Sequence, residues 1–213
     1  MCGRFVRVPG TAEIMSAFSV EEDLTNRPIT ASYNIAPSHV IPVVSSRAER
    51  VLEDASWGFL APWKGPSSLV INARMESVFE KPTFRRFTAE GRCVIPMSGY
   101  FEWMTNEITR AQLGLVKGKH PFFISADEGS PLRHDGMMVA AGLMSRENNE
   151  RRCVMLTREA NASVVDIHDR MPVLLDRLAV EEWLGSSAVP DLEVVLGARD
   201  TALRSVRASR EVN

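Results

Sequence analysis

Apolar residues recur along this chain at strand spacing more than at helix spacing. Residues 40–45 (VIPVVS) and 51–59 read as neighbouring strands, and Pro42, which has no N–H for a ladder, marks the first as an edge. Residues 92–97 and 100–104 read as two strands around Ser98 and Gly99. Residues 120–126 (HPFFISA), 137–143 and 153–157 are further apolar, β-rich runs. Helical signals are fewer: 11–18 with Thr11 as N-cap, 161–167, and an amphipathic segment 176–184 capped by Asp176. The polar stretch 105–119 reads as a long hairpin loop, and the tail SVRASREVN as a final strand. Strands dominate the middle with little βαβ alternation. The expected class is therefore α+β: a curved, mostly antiparallel sheet or barrel-like core with peripheral helices.

Composition narrows this picture. With 213 residues, 45% hydrophobic and 24% charged, the chain suits one compact unit spanning 1–213. No apolar stretch approaches the length of a membrane span. The start MCGRFVRVPG lacks the apolar run of a secretory signal. Cys2, Cys93 and Cys153 are far apart with no CxxC, and the four histidines show no ligand spacing. Free thiols in a reducing cytosol are expected, with no metal, cofactor or membrane association, and a monomer as the resting state. The net charge of −2 argues against a generally basic nucleic-acid binder, but charge is unevenly spread. Positions 64–92 hold six basic residues against three acidic ones, whereas 121–213 hold 11 against 15. Such a basic stretch is either a solvated helix face or a face for a few phosphates.

Candidate chemistry begins at the second residue. Removal of Met1 would give Cys2 a free α-amine beside its thiol, a 1,2-aminothiol that only an N-terminus can carry. Such a group condenses with an aldehyde to an imine, and the thiol then closes a five-membered thiazolidine. Amine and thiol have reference pKa values near ~8 and ~8.5, and a basic neighbour would lower the thiol further. Glu102 lies in GYFEWM, where strand alternation puts Tyr100, Glu102 and Met104 on one face. It is either an edge carboxylate facing water or a partly desolvated acid–base group with a raised pKa. His168 in DIHDRMP is either a proton shuttle or a helix-terminal ring satisfied by backbone, with Asp169 orienting it or capping a turn. Asn72 and Arg74 follow a short apolar run, as a strand end feeding a pocket rim would. Arg74, Arg85 and Arg86 suit bidentate phosphate contacts. In WGFLAPW, Trp57 reads as core, while Trp63 beside Pro62 could stack on a base.

Several blocks occur in a specific order: CGRF, YNIAPS, WGFLAPW, INARMES, PTFRR, GRCVIPMSGYFEW, PFFI, AGL and DIHDRMP. In this the chain resembles the SRAP family, the SOS-response-associated peptidase-like or abasic-site processing proteins, over residues 2–172. The insertion 105–119 and, within the tail 173–213, the part after Pro190 carry little of the likeness. The resemblance implies that the partner is single-stranded DNA containing abasic sites, met during a DNA damage response. It implies a cytoplasmic protein, nucleoid-associated if bacterial. It makes Cys2 the nucleophile of a thiazolidine DNA–protein crosslink that shields the site from strand cleavage, a lyase-like chemistry. It gives Glu102 ring opening and proton transfer, His168 proton transfer and stabilisation of the linkage, and Asn72 a place near the N-terminus. Arg4, Arg74, Arg85 and Arg86 become phosphate ligands. Thr157, eleven residues before His168, resembles a pocket threonine. Where many relatives carry PADG, this chain has PMSG at 96–99. Two other readings stay open: an N-terminal-nucleophile cysteine peptidase or autoprotease, and a non-covalent binder of single-stranded or modified DNA.

Overall fold

The computed structural model describes residues 2–61, 65, 67–147, 150–185 and 188–212. The chain opens with β1 (Arg4–Arg7), α1 (Thr11–Ala17), β2 (Glu22–Asp23) and β3 (Ser32–Ile35). The hairpin β4 (Val40–Ser46) and β5 (Arg50–Trp57) follows. Gly58, at a φ of +126° that disfavours any side chain, ends β5 two residues earlier than the apolar run suggests. Next come β6 (Phe59–Leu60), β7 (Leu69–Val70), β8 (Asn72–Arg74), α2 (Pro82–Arg85) and α3 (Phe87–Glu90). The second half comprises β9 (Arg92–Met97), β10 (Gly99–Trp103), α4 (Glu107–Gln112), β11 (Pro121–Ser125), β12 (Met138–Glu147) and β13 (Glu150–Glu159). It ends with β14 (Arg170–Pro172), α5 (Arg177–Leu184), α6 (Leu192–Val195) and β15 (Arg204–Arg207).

β4, β5, β9, β12 and β13 form a closed ring. β13 pairs with β12, β12 with β9, β9 with β4 and β4 with β5, all antiparallel. A short parallel contact, Arg152↔Ser56 and Cys153↔Trp57, then joins β5 back to β13. A second sheet, in the order β15-β11-β10-β1-β3, covers one side. The mixed α+β class with a barrel-like core is thus what the chain adopts.

Both faces of the ring strands are buried, which explains apolar runs with little alternation. Ile41, Val43, Trp57, Cys93, Ile95, Met144, Cys153 and Met155 share an inner core with Phe5, Tyr100 and Ile124 of the second sheet. Val44, Leu52, Val94, Leu143, Val154 and Leu156 form an outer core with Ile14, Phe84, Trp183 and Val195 from the helices. At one mouth of the ring the inward positions turn polar. Glu53 is fully buried there, within 2.8 Å of Arg151 and 3.2 Å of Arg47, and bonded also to Arg146 and Ser45. Burial alone would raise its pKa, but the hydrogen bonds from Arg146 and Ser45 outweigh that and hold the carboxyl below its usual value.

Four expectations need correction. β4 is not an edge strand, because Val44 and Ser45 pair with β9. Pro42 is accommodated beyond that short ladder, opposite Asp54 of β5 alone. Residues 162–167 form successive turns rather than a helix. The Asn161 carboxamide accepts bonds from the Ser163 N–H and hydroxyl, at 3.1 and 2.7 Å, which competes with helical pairing. The 105–119 connection contains α4, capped by Asn106 accepting from Ile108 and Thr109 N–H groups, both at 3.1 Å. The N-cap of α1 is Gly10 rather than Thr11, with Glu13 accepting the Gly10 N–H at 3.2 Å. The Asp176 cap holds, accepting from Ala179 N–H at 2.8 Å, and the tail does add a final strand, β15 beside β11.

Candidate active site

β1 lies inside the second sheet, flanked by β10 and β3. That position carries the start of the chain into the inner core, where Cys2 is fully buried. The link from the ring to β10 is made at the PMSG segment. Met97 packs in the core, Ser98 N–H donates to Val6 O at 2.7 Å, and the Ser98 hydroxyl accepts from Val8 N–H at 3.0 Å. Gly99 is required by close approach, since a Cβ there would lie 2.4 Å from the Phe123 ring and 2.7 Å from Ile124 O. β10 pairs Arg4 with Phe101 and Phe5 with Tyr100, so the register carried one step further sets Glu102 opposite Gly3.

Asn72 reaches the same place from the other side. Trp57 Nε1–H donates to Ile71 O at 3.0 Å, and β8 then runs parallel to β13 with Asn72 opposite Met155. The Asn72 Nδ2 group donates to Cys2 O at 2.9 Å. His168 Nε2 lies 3.5 Å from Glu102 Oε1. The Arg170 backbone N–H donates to Nδ1 at 3.0 Å, and Asp169 Oδ1 lies 2.8 Å from the same nitrogen. In the neutral ring Nδ1 accepts from Arg170 and the proton sits on Nε2, facing Glu102. In the imidazolium the Nδ1 proton has the Asp169 carboxylate as its partner.

Burial sets the protonation states. It pushes the Cys2 thiol well up, and the Glu102 charge adds to that. A basic neighbour would lower this thiol, but burial dominates here, and a desolvated sulfur beside a carboxylate stays protonated. Glu102 is 2% exposed, and burial raises its carboxyl to about 7, as its face on β10 suggested. Burial lowers His168 below the usual histidine value. The site thus combines a neutral thiol, a neutral imidazole and a carboxyl group that titrates near neutrality. Of these, the Glu102 carboxyl exchanges protons near neutral pH at little cost in either direction, whereas the buried thiol holds its proton.

The structure therefore brings Cys2, Asn72, Glu102 and His168 together. Arg4 lines a small cavity with Gly3 and Trp103, next to this cluster. Arg74 is exposed at the end of β8. Arg85 and Arg86 are exposed on and just after α2; Arg85 shares a cavity wall with Glu76, and Arg86 lies 4.5 Å from the Phe87 ring centroid. Thr157 is fully buried, its hydroxyl bonding Ala73 O at 3.4 Å, so it lies one layer behind the surface. Trp63 lies outside the described residues. Two residues that sequence reasoning passed over also belong here. Arg170 forks onto Glu76 at 2.7 and 2.9 Å and donates to Thr157 O at 2.8 Å, tying the turn that bears His168 to β13. Its signal was its place directly after His168 and Asp169. Tyr100 is fully buried beside the cluster, and its hydroxyl has no hydrogen-bond partner among the described residues. Its signal was the face it shares with Glu102.

Comparison with known proteins agrees over nearly the whole chain. The family model described as SOS response associated peptidase (SRAP) matches residues 1–213. Abasic site processing protein YoaM of Bacillus subtilis is 31% identical over 193 residues, covering 86% of this chain and 79% of YoaM. Abasic site processing protein YedK of Escherichia coli is 30% identical over 190 residues, covering 86% and 79%. The crystal structure of a Bacteroides thetaiotaomicron protein matches with a TM-score of 0.71 at 18% identity, over 99% of this chain and 93% of that one. At that identity it speaks for the fold alone.

Proposed function

The chain belongs to the SOS response associated peptidase (SRAP) family, and from that premise we propose that it captures abasic sites in single-stranded DNA by covalent attachment to Cys2 once Met1 is removed. The observation that carries this reading is the burial of Cys2 against Glu102, a carboxyl group raised to about 7. The naming of YoaM and YedK as abasic site processing proteins supports abasic DNA as the partner.

The proposed sequence of steps balances on these residues. Protonated Glu102 gives its proton to the ring oxygen of the abasic sugar and takes the C1′ hydroxyl proton onto its other carboxyl oxygen, and the sugar opens to the aldehyde. The Cys2 amine adds to C1′, and the carbinolamine loses one water to form an imine. The Cys2 sulfur then bonds to C1′, its proton relayed through the Glu102 carboxyl to the imine nitrogen, and the thiazolidine is closed. Closure removes the imine that would promote β-elimination of the strand. Because the thiol is held neutral by burial, its proton needs a carrier close by, and the Glu102 carboxyl, which titrates near neutrality, is assigned that role. Asn72 fixes the Cys2 carbonyl, and His168 directs Nε2–H at Glu102. Arg4, Arg74, Arg85 and Arg86 are assigned to backbone phosphates, and Thr157 acts through Arg170.

The test is incubation with single-stranded DNA carrying one abasic site, read as a slower-migrating adduct on a denaturing gel, with mass spectrometry of the N-terminus alongside. The adduct should form only on chains lacking Met1 and vanish in Cys2→Ala. An adduct that survives Cys2→Ala, or none from a chain that begins at Cys2, would sink the proposal. Cleavage of a peptide substrate by the same preparation, without any adduct, would favour the peptidase in the family's description.

A further inference from the structure

Lys119 closes the long connection between β10 and β11, and that connection is anchored at its end. Met104 N–H donates to His120 O at 3.0 Å, extending the ladder in which Trp103 pairs with Pro121. The His120 ring is 1% exposed, and its Nε2 lies 2.6 Å from Val116 O, so the last turn before β11 is tied down from inside. Lys119 is thereby delivered to one wall of a cavity of about 240 Å³ whose other walls are Gly3, Arg4 and Trp103. Gly3 follows Cys2 directly, so one wall of this cavity is the residue next to the nucleophile, ~3.8 Å away between Cα atoms.

The cavity has the chemistry of a nucleotide. Two cations face it, Arg4 and Lys119, and no carboxylate lies within ion-pair distance of either among the described residues. Arg4 Nη1 donates to Gly3 O at 3.3 Å, while its Nε is buried without a partner among the described residues. The Trp103 indole lines the same cavity, and an indole is a sequence-tolerant platform for a base. Gly3 adds no side chain to obstruct approach. We propose that this cavity is a subsite for the nucleotide adjoining the abasic sugar: Arg4 and Lys119 hold its phosphodiester and Trp103 stacks on its base. The proposal rests on the reading of Cys2 as the abasic-site nucleophile. It gives a task to the 105–119 connection, which carried little of the family likeness.

The test uses the full chain and a fluorescein-labelled single-stranded oligonucleotide with no abasic site, so that no covalent step intervenes. Binding is followed by anisotropy over a salt series. Losing one phosphate contact on a single strand lowers the slope of log K against log salt by about 0.7. Lys119→Ala should show that loss, and Lys119→Arg should keep the wild-type slope. Trp103→Phe should leave the slope alone and weaken binding about threefold to tenfold, as a smaller stacking surface would. A merely structural Lys119 would not move the salt slope, and an unchanged slope in Lys119→Ala overturns the subsite. Adduct formation by the wild type on an abasic oligonucleotide separates the two claims. Adduct with an unchanged Lys119→Ala slope removes the subsite alone, and a shifted slope without adduct removes the Cys2 reading alone. No binding of single-stranded DNA by the wild type removes both.

Discussion

Glu102→Gln should make the protein more stable at alkaline pH and less able to crosslink. The carboxyl has a folded pKa of about 7 against an ordinary value of 4.5, a rise caused first by burial. Below 4.5 the group is protonated in both folded and unfolded chains and costs nothing. As the pH rises past that value the unfolded chain ionises first, so stability falls until the folded group also ionises near 7. The gap of about 2.5 units, at ~1.36 kcal/mol each, amounts to about 3 kcal/mol of stability missing at pH 8. Glutamine is nearly isosteric and never ionises, so it should recover most of that amount. For a chain of this size that is about 6–12 °C in melting temperature. The same change removes the proton carrier and should slow adduct formation by roughly 10²–10⁴-fold. Thermal melts of both proteins at pH 4 and pH 8, paired with single-turnover crosslinking at pH 7, decide the matter. Equal melting temperatures at pH 8, or a gap of the same size at pH 4, would show that Glu102 is not the desolvated acid described here. Unchanged crosslinking would show that it is not the proton carrier.

Three further outcomes follow from the geometry. Asn72→Ala removes the bond to Cys2 O, and should slow adduct formation about tenfold while costing ~1 kcal/mol in urea melts; a rate within twofold of wild type would refute its positioning role. Glu53→Gln leaves Arg47, Arg146 and Arg151 converging without a counter-charge. Those arginines are 28–46% exposed, so the loss should be about 2–3 kcal/mol at pH 7 rather than the full cost of a broken buried pair. Because the Glu53 pKa is depressed, that difference should shrink as the pH falls through its folded value; a difference that grows toward low pH would contradict the assignment. Gly99→Ala drives a methyl group into the Phe123 ring and Ile124 O, and should destabilise the chain by about 2 kcal/mol or more, read by the urea midpoint.

The strands of the ring were legible because both their faces are buried, leaving long apolar runs that flanking polar residues delimit. The closure of that ring was not legible. It depends on two residue pairs, Arg152↔Ser56 and Cys153↔Trp57, between segments about a hundred positions apart, and nothing in either segment names the other. Glu53 stayed hidden for a related reason. In RVLEDASW it reads as a solvent-facing acid, and only the inward alternation from Trp57 and Ala55 places it in the barrel mouth. At the candidate site, Glu102 could be suspected from its own strand face, but its raised pKa needs β1 beside it to exclude water. Position in the sheet also ties the thiol to the carboxyl. Placing an N-terminal strand between two others buries Cys2 and keeps its thiol neutral. In the proposed reaction a buried neutral thiol adds to an imine only if its proton can leave, and Cys2 is shut off from bulk water. The burial that positions Cys2 therefore creates the need for an internal proton acceptor, and the same burial tunes Glu102 to near neutrality, where it can serve.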